Sequence, residues 1–183
     1  GADGVKIGVG PGFVCDTRDV AGTGIPQITA IMEVSEALAN DTNPLPKIAD
    51  GGIRLPGDVA KAIGAGADSV MVGSQFAGTD ESPGEIIEKD GVSVKMVRGM
   101  ASSDAFKARL SVGSTTTQMQ TYTPEGHTSF VPYKGPMEKI LKNLRGGLLS
   151  AMSYSNAKTI KEMQEKAKFI IVMGARDEKR PLP

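Results

Sequence analysis

Residues 46–74 read PKIADGGIRLPGDVAKAIGAGADSVMVGS, and this stretch decides the fold class. Two short apolar runs, Pro46 to Ala49 and Ser69 to Val72, have the length and continuity of strands buried on both faces. Between them Val59, Ala62 and Ile63 recur at helical spacing after the Gly57-Asp58 start signal. A strand, a helix and a second strand predict parallel pairing through a right-handed crossover, because a tight turn can join only antiparallel strands. The runs end in Asp-Gly-Gly or in glycine. Each predicted strand therefore opens into a loop at its C-terminal end, where sheets of this class hold ligands.

Upstream, Val5 to Val9 is a third run of the same kind, and Ile28, Ile31, Val34 and Leu38 share a helical face after Pro26. The order becomes β-α-β-α-β. Three strands make a thin sheet, whereas a complete (β/α)8 TIM barrel has eight strands and ~250 residues. The 183-residue chain reads as α/β and as part of a larger barrel that begins abruptly at a strand.

Downstream the pattern changes between Glu85 and Tyr133. Ile86 to Lys89, the turn signal Asp90-Gly91, and Val92 to Val97 predict a hairpin. Residues 111–130 are polar and without either period; so long a loop in a compact domain predicts a mobile lid. Helical spacing returns after Pro136 with Ile140, Leu141, Leu144 and Leu148, and again with Ile160, Met163 and Ala167. Phe169 to Val172 reads as a last strand, and ARDEKRPLP, 175–183, as a frayed tail.

Lys+Arg and Asp+Glu number 21 each, so no overall field draws the chain to nucleic acid or to an anionic membrane. No apolar run approaches the roughly 20 residues that span a bilayer, and the N-terminus lacks a signal-peptide pattern. A cytoplasmic protein with neither membrane nor nucleic acid as partner is expected. The one cysteine fits a reducing compartment.

That cysteine lies in GVGPGFVCDTR, residues 8–18. Gly8, Gly10 and Gly12 follow a predicted strand and let carbonyls or amides turn toward an ion or ligand. Cys15 sits at the tip of the loop, with Thr17 and Arg18 just beyond. A nearby cation would favour a nucleophilic thiolate, while the alternative is a small buried hydrophobe. Asp50 at a strand end suits a ribose diol, and the amides of Gly51, Gly52, Gly73 and Ser74 suit a phosphate; the alternative is two tight strand-to-helix turns. Glu125, in TPEGHT, is the lid carboxylate that closure would desolvate for proton transfer, or else a solvated loop residue. His127, the only histidine, reads equally as a switch, a base or a solvated side chain.

Taken in order, GVGPGFVCDTRDVAGTGIPQ (8–27), KIADGGIRLPGDVAKAIGAGADSVMVGSQFAGTDESPGE (47–85), VRGMAS (97–102), PEG (124–126) and VPYKG (131–135) resemble the IMP dehydrogenase/GMP reductase family from Gly1 to about Val172. The resemblance implies that residues 1–183 are the C-terminal portion of a single catalytic barrel domain. It implies the last three strands, a flap over about 101–133 and C-terminal helices, with the first half of the barrel absent, and a homotetramer. By the same resemblance Cys15 is the thiol that attacks the purine, and Thr17 and Glu125 handle the proton. Gly10, Gly12 and Cys15, with Arg18 adjacent, hold a monovalent cation, potassium. Asp50, Gly51, Gly52, Gly73 and Ser74 cradle the ribose and phosphate of a purine nucleotide monophosphate; Gly99, Met100, Ala101 and Gly126 line the base. Ser153 and Tyr154 contact the nicotinamide dinucleotide that carries the hydride.

Two departures bear on the reaction. Phe13 stands where the family has a small polar residue, which removes one phosphate hydroxyl. Residues 111–128 contain no arginine, whereas the dehydrogenases of the family activate water with an Arg-Tyr pair on the flap. Hydrolysis of the covalent intermediate should then be slow, and reductive deamination of GMP with NADPH needs no hydrolysis. Val20-Ala21-Gly22 and Arg98-Gly99-Met100 lean the other way. The sequence therefore reads as a GMP reductase ahead of an NAD-dependent IMP dehydrogenase, with a non-catalytic nucleotide-binding protein as the alternative of another class.

Overall fold

The structure, a computed structural model, describes residues 1–40, 42, 44–110 and 122–172. In chain order these form β1 (Val5–Ile7), α1 (Thr17–Ala21), α2 (Gln27–Leu38), β2 (Lys47–Asp50), α3 (Pro56–Gly64), β3 (Ser69–Met71), β4 (Ile86–Lys89), β5 (Val92–Arg98), α4 (Ser103–Leu110), β6 (Thr128–Pro132), α5 (Glu138–Tyr154) and α6 (Ile160–Lys166). The first three strands make a parallel sheet in the order β1-β2-β3, with Ile7 opposite Ala49 and Ala49 opposite Val70. The β-α-β-α-β reading of residues 5–72 is thus the observed one. A second sheet, β4-β5-β6, is antiparallel throughout.

The core lies between the parallel sheet and the helices α2, α3, α5 and α6, and Ile31, Ala49 and Ala67 in it are 0% exposed. On α2 the face starts with Ile28, Ile31 and Val34, and on α3 with Val59, Ala62 and Ile63, the positions that the 3.6-residue period selects. Alanines at Ala60, Ala62 and Ala65 keep α3 thin enough for α5 to lie against it. Where the helices cross, a Cβ on Gly147 would stand 2.2 Å from the Cβ of Pro56. Only glycine fits there.

Asp58 starts α3. Its carboxylate accepts from the amides of Arg54 (3.0 Å) and Leu55 (2.8 Å) and from Lys61 Nζ (2.9 Å). Partial burial raises its pKa, but the lysine and the two amides outweigh that and hold it below the usual 3.8. A folded pKa below the unfolded one stabilises the fold at pH above the unfolded value; the gain is lost as pH falls through the folded one. Asp58→Asn is accordingly expected to cost about 1 kcal/mol at pH 7. Urea midpoints of the two proteins should converge as the pH drops below 4.

Three sequence expectations are corrected, and one element was not expected. Phe169 to Val172 form no strand: Ile170 and Ile171 are 84% and 95% exposed, and no described strand runs beside them to complete a ladder. Leu141, one residue from Ile140 and so 100° around the helix, is 49% exposed and leaves the core to Ile140, Leu144 and Leu148. The expected lid is shorter at its C-terminal end, because Thr128, Ser129 and Phe130 pair with Arg98, Val97 and Met96 as part of β6. And α4 fills Ser103–Leu110, a segment with no sequence signal strong enough to name. Residues 111–121, most of the expected lid, and the expected tail 175–183 lie outside the described residues.

Candidate active site

The glycine loop leaves β1 and descends into α1 through Cys15. It packs directly on the turn after β2: a Cβ on Gly51, whose φ is +87°, would stand 2.8 Å from Pro11 Cγ and 3.1 Å from the amide nitrogen of Gly12. Gln27 fastens the two from below, its Nε2 donating to the carbonyls of Ile7 (2.9 Å) and Asp50 (3.1 Å). Arg18 fastens the loop from the side, donating to the carbonyls of Val9 (3.2 Å) and Ile25 (2.8 Å). The thiol is therefore carried on a bonded loop between strand and helix.

Cys15 Sγ lies 3.3 Å from Thr17 Oγ1, which donates to Glu125 Oε2 at 2.8 Å. A hydroxyl has one proton. With that proton directed at Glu125, Thr17 accepts from the thiol, and the three groups form a path from sulfur to carboxylate. Cys15, Thr17 and Glu125, the last two 108 positions apart, thus meet as one unit.

Glu125 reaches Thr17 because residues 125–127 zip onto the cysteine loop. Asp16 N–H donates to the Glu125 carbonyl (2.8 Å) and His127 N–H to that of Val14 (3.2 Å). The turn 99–102 closes the other side: Gly99 N–H donates to the His127 carbonyl (3.0 Å), and Glu125 N–H and Tyr122 Oη donate to the Ala101 carbonyl at 3.1 and 2.6 Å. Tyr122 also stacks on Phe106 of α4, with centroids 4.1 Å apart. Gly99 and Gly126 let the three segments approach; a Cβ on Gly99 would stand 2.6 Å from the Val14 carbonyl oxygen. Gly99→Ala is expected to cost roughly 1–3 kcal/mol of stability as the backbones separate, read as a lower urea midpoint.

His127, which the sequence left open, has a partner: its Nδ1 lies 3.0 and 2.9 Å from the two carboxylate oxygens of Asp16. The edge of the Phe13 ring faces it at 6.1 Å. Asp16 was not singled out in the sequence, since nothing in it announces a pairing across 111 positions.

The remaining predicted residues flank this cluster. Asp50 forms an ion pair with Lys6 at the end of β2. Gly73 turns the chain after β3, its carbonyl accepting from Phe76 and Ala77 N–H, both at 3.0 Å. Lys134 Nζ holds the carbonyls of Ser74 (3.0 Å) and Gln75 (3.1 Å), and desolvation lowers its pKa. This lysine, too, was missed, because its partners are backbone atoms. Met100 stands 80% exposed beside the cysteine loop. Ser153 and Tyr154, the latter 92% exposed, lie at the far end of α5 and share no hydrogen bond or ring contact with the Cys15 cluster among the described residues. For a monovalent cation, the carbonyls of Gly10, Gly12 and Cys15 are the right hard oxygen donors. The Arg18 guanidinium only donates, so its side chain clamps the loop and supplies no ligand atom.

No helix among the described residues is long and apolar enough to cross a membrane. A family model described as "IMP dehydrogenase / GMP reductase domain" matches residues 1–180. The chain is 50% identical over 176 residues to the inosine-5'-monophosphate dehydrogenase of Aquifex aeolicus, covering 96% of this chain and 36% of that one. It is 47% identical over 180 residues to the GMP reductase of Leishmania donovani, again 96% of this chain and 36% of the relative. Among solved structures it is similar to a cysteine-to-alanine variant of GMP reductase from Trypanosoma brucei in complex with guanosine 5'-monophosphate. That match has TM-score 0.88 and 48% identity, over 95% of this chain and 35% of the other. The likeness is to a TIM-barrel enzyme, so the expectation of an α/β chain that is part of a barrel stands. The chain spans about a third of the length of the relatives it matches. On the family match over residues 1–180 and on identities near one half, the chain belongs to the IMP dehydrogenase/GMP reductase family.

Proposed function

We propose that the protein is a purine-nucleotide oxidoreductase that reduces GMP to IMP and ammonia with NADPH. The path Cys15 Sγ to Thr17 Oγ1 to Glu125 Oε2 carries this reading. The thiolate adds to C2 of the purine, and its proton passes through Thr17 toward Glu125. The same pair returns a proton to the 2-amino group, which leaves as ammonia and leaves C2 bonded to sulfur. Hydride addition at C2 then expels the thiolate and yields IMP. The dinucleotide, when bound, supplies that hydride. Ser153 and the exposed Tyr154 ring offer hydrogen bonding and stacking suited to it at a surface. The carbonyls of Gly10, Gly12 and Cys15 would hold potassium, and Asp50, Gly51, Gly52, Gly73 and Ser74 the ribose and phosphate, with Gly99 to Ala101 and Gly126 along the base. The similar Trypanosoma brucei structure holds GMP, and residues 111–128 lack the arginine that hydrolysis would call for; both favour the reductase. Residues 1–183 would be the C-terminal portion of one barrel domain in a homotetramer.

NAD-dependent oxidation of IMP is the second reading, favoured by the Aquifex aeolicus identity. Incubating the intact protein with GMP plus NADPH, and separately with IMP plus NAD, while following nicotinamide absorbance distinguishes them. NADPH consumed with GMP supports the reductase, and NADH formed with IMP overturns it. Nucleotide binding with no change in either mixture would leave the binding-protein reading.

A further inference from the structure

Behind the turn that follows β3, an open groove of about 530 Å³ runs between the start of α3 and the first turns of α5. Its polar wall is made by Arg54, Gln75, Lys134, Lys139 and Asn143, over an apolar floor that includes Leu144. Among the described residues no carboxylate lines it. Among the described residues, neither the Arg54 guanidinium nor the Lys139 ammonium has a carboxylate partner. The Lys134 ammonium bonds only two carbonyl oxygens.

The acids closest in sequence are engaged elsewhere. Asp58 is bound to Lys61 and two amides, Asp80 to the Tyr133 hydroxyl, Glu81 to the amide of Met137, and Glu138 to Lys142. Three cations around one groove repel one another, in a chain whose positive and negative charges otherwise balance at 21 each. Desolvation already lowers the pKa of Lys134, which is the direction an uncompensated cation takes. An anion in the groove would remove both penalties.

We propose that this groove is a second anion site, separate from the Gly51-Gly52 and Gly73-Ser74 cradle, that takes an organic phosphate. The phosphate would be held by Arg54, Lys134 and Lys139, and an apolar ring would rest on the floor beside Leu144. The volume lies in the range that encloses small organic ligands. The forked guanidinium matches phosphate oxygens, and the carboxamide of Asn143 can turn its N–H groups to the same anion, while Gln75 Nε2 is held by the Arg54 carbonyl at 2.6 Å.

The test uses calorimetry with inorganic pyrophosphate and with phenyl phosphate on the unmodified chain, on Arg54→Gln/Lys139→Gln, on Arg54→Glu/Lys139→Glu and on Gly73→Asp. Arg54 and Lys139 make no side-chain bond among the described residues, so these changes should leave the urea midpoint in place. The expected result is binding to the unmodified chain that weakens about tenfold in the Gln pair, is lost in the Glu pair, and persists in Gly73→Asp. Inorganic phosphate is a third titrant, and phenyl phosphate should bind more tightly than it because the floor takes the ring. Loss in Gly73→Asp with retention in the Glu pair would put the anion in the cradle and overturn the proposal. So would the absence of binding at millimolar pyrophosphate in low salt. Neither outcome depends on turnover, so the groove and the reductase reading fail separately.

Discussion

Replacing Cys15 by alanine should remove turnover altogether, by at least ~10³-fold, while the dissociation constant for the nucleotide monophosphate moves little. The reason is the division of labour in the proposed site. The sulfur is the only atom there that can form the bond to C2, whereas phosphate and ribose would be held on other loops, by Asp50, Gly51, Gly52, Gly73 and Ser74. Alanine adds no bulk, and the Cys15 backbone bond to Gly12 (3.2 Å) does not involve the side chain, so the loop should keep its shape. The measurement pairs steady-state rates with calorimetry on the same preparation. Turnover within tenfold of the unmodified protein would refute a covalent route.

Glu125→Gln should have the second-largest effect, a loss of ~10²-fold or more in deamination of GMP. The amide can still meet Thr17, at present 2.8 Å from the carboxylate, but cannot take up the proton that Thr17 passes on. Since the main-chain bonds of residue 125 to Asp16 and Ala101 persist, nucleotide and cofactor affinities should change little. Rapid mixing separates the two reactions. A lost deamination phase with GMP fits the reductase. A normal burst of NADH from IMP followed by arrest would instead mean that Thr17 and Glu125 activate water, and the dehydrogenase reading would replace ours.

What could be read from the sequence was what is local. Residues 46–74 carry both a strand period and a helix period within thirty positions, so the parallel sheet followed from spacing alone. The hairpin at Asp90-Gly91 was visible because a two-residue turn needs positive φ, and Asp90 has φ 53° and Gly91 φ 75°. The third strand of that sheet, β6, was not: Thr128 to Pro132 become a strand only because β5, thirty residues earlier, offers its edge. Phe169 to Val172 are the converse case, an apolar run with no strand edge beside it among the described residues. At the site, Cys15, Thr17 and Glu125 were legible one by one from residue type and loop position. Their union came from the family resemblance and not from spacing, which showed neither it nor Asp16 and Lys134, because pairings across so many positions leave no trace there.

Glu125 is set in place mainly by peptide groups: the amide of Asp16, the carbonyl of Ala101, and the neighbouring Val14 to His127 and His127 to Gly99 links. Peptide groups are the same whatever side chain they bear. The side chains of the residues that make these links can therefore change without dislodging the carboxylate, provided that glycine is kept at Gly99 and Gly126. A family built this way can exchange the residues that meet the intermediate, and so exchange one reaction for another, on an anchor that does not have to be rebuilt. Relatives with two different reaction names at nearly equal identity to this chain are what such an evolvable arrangement would produce.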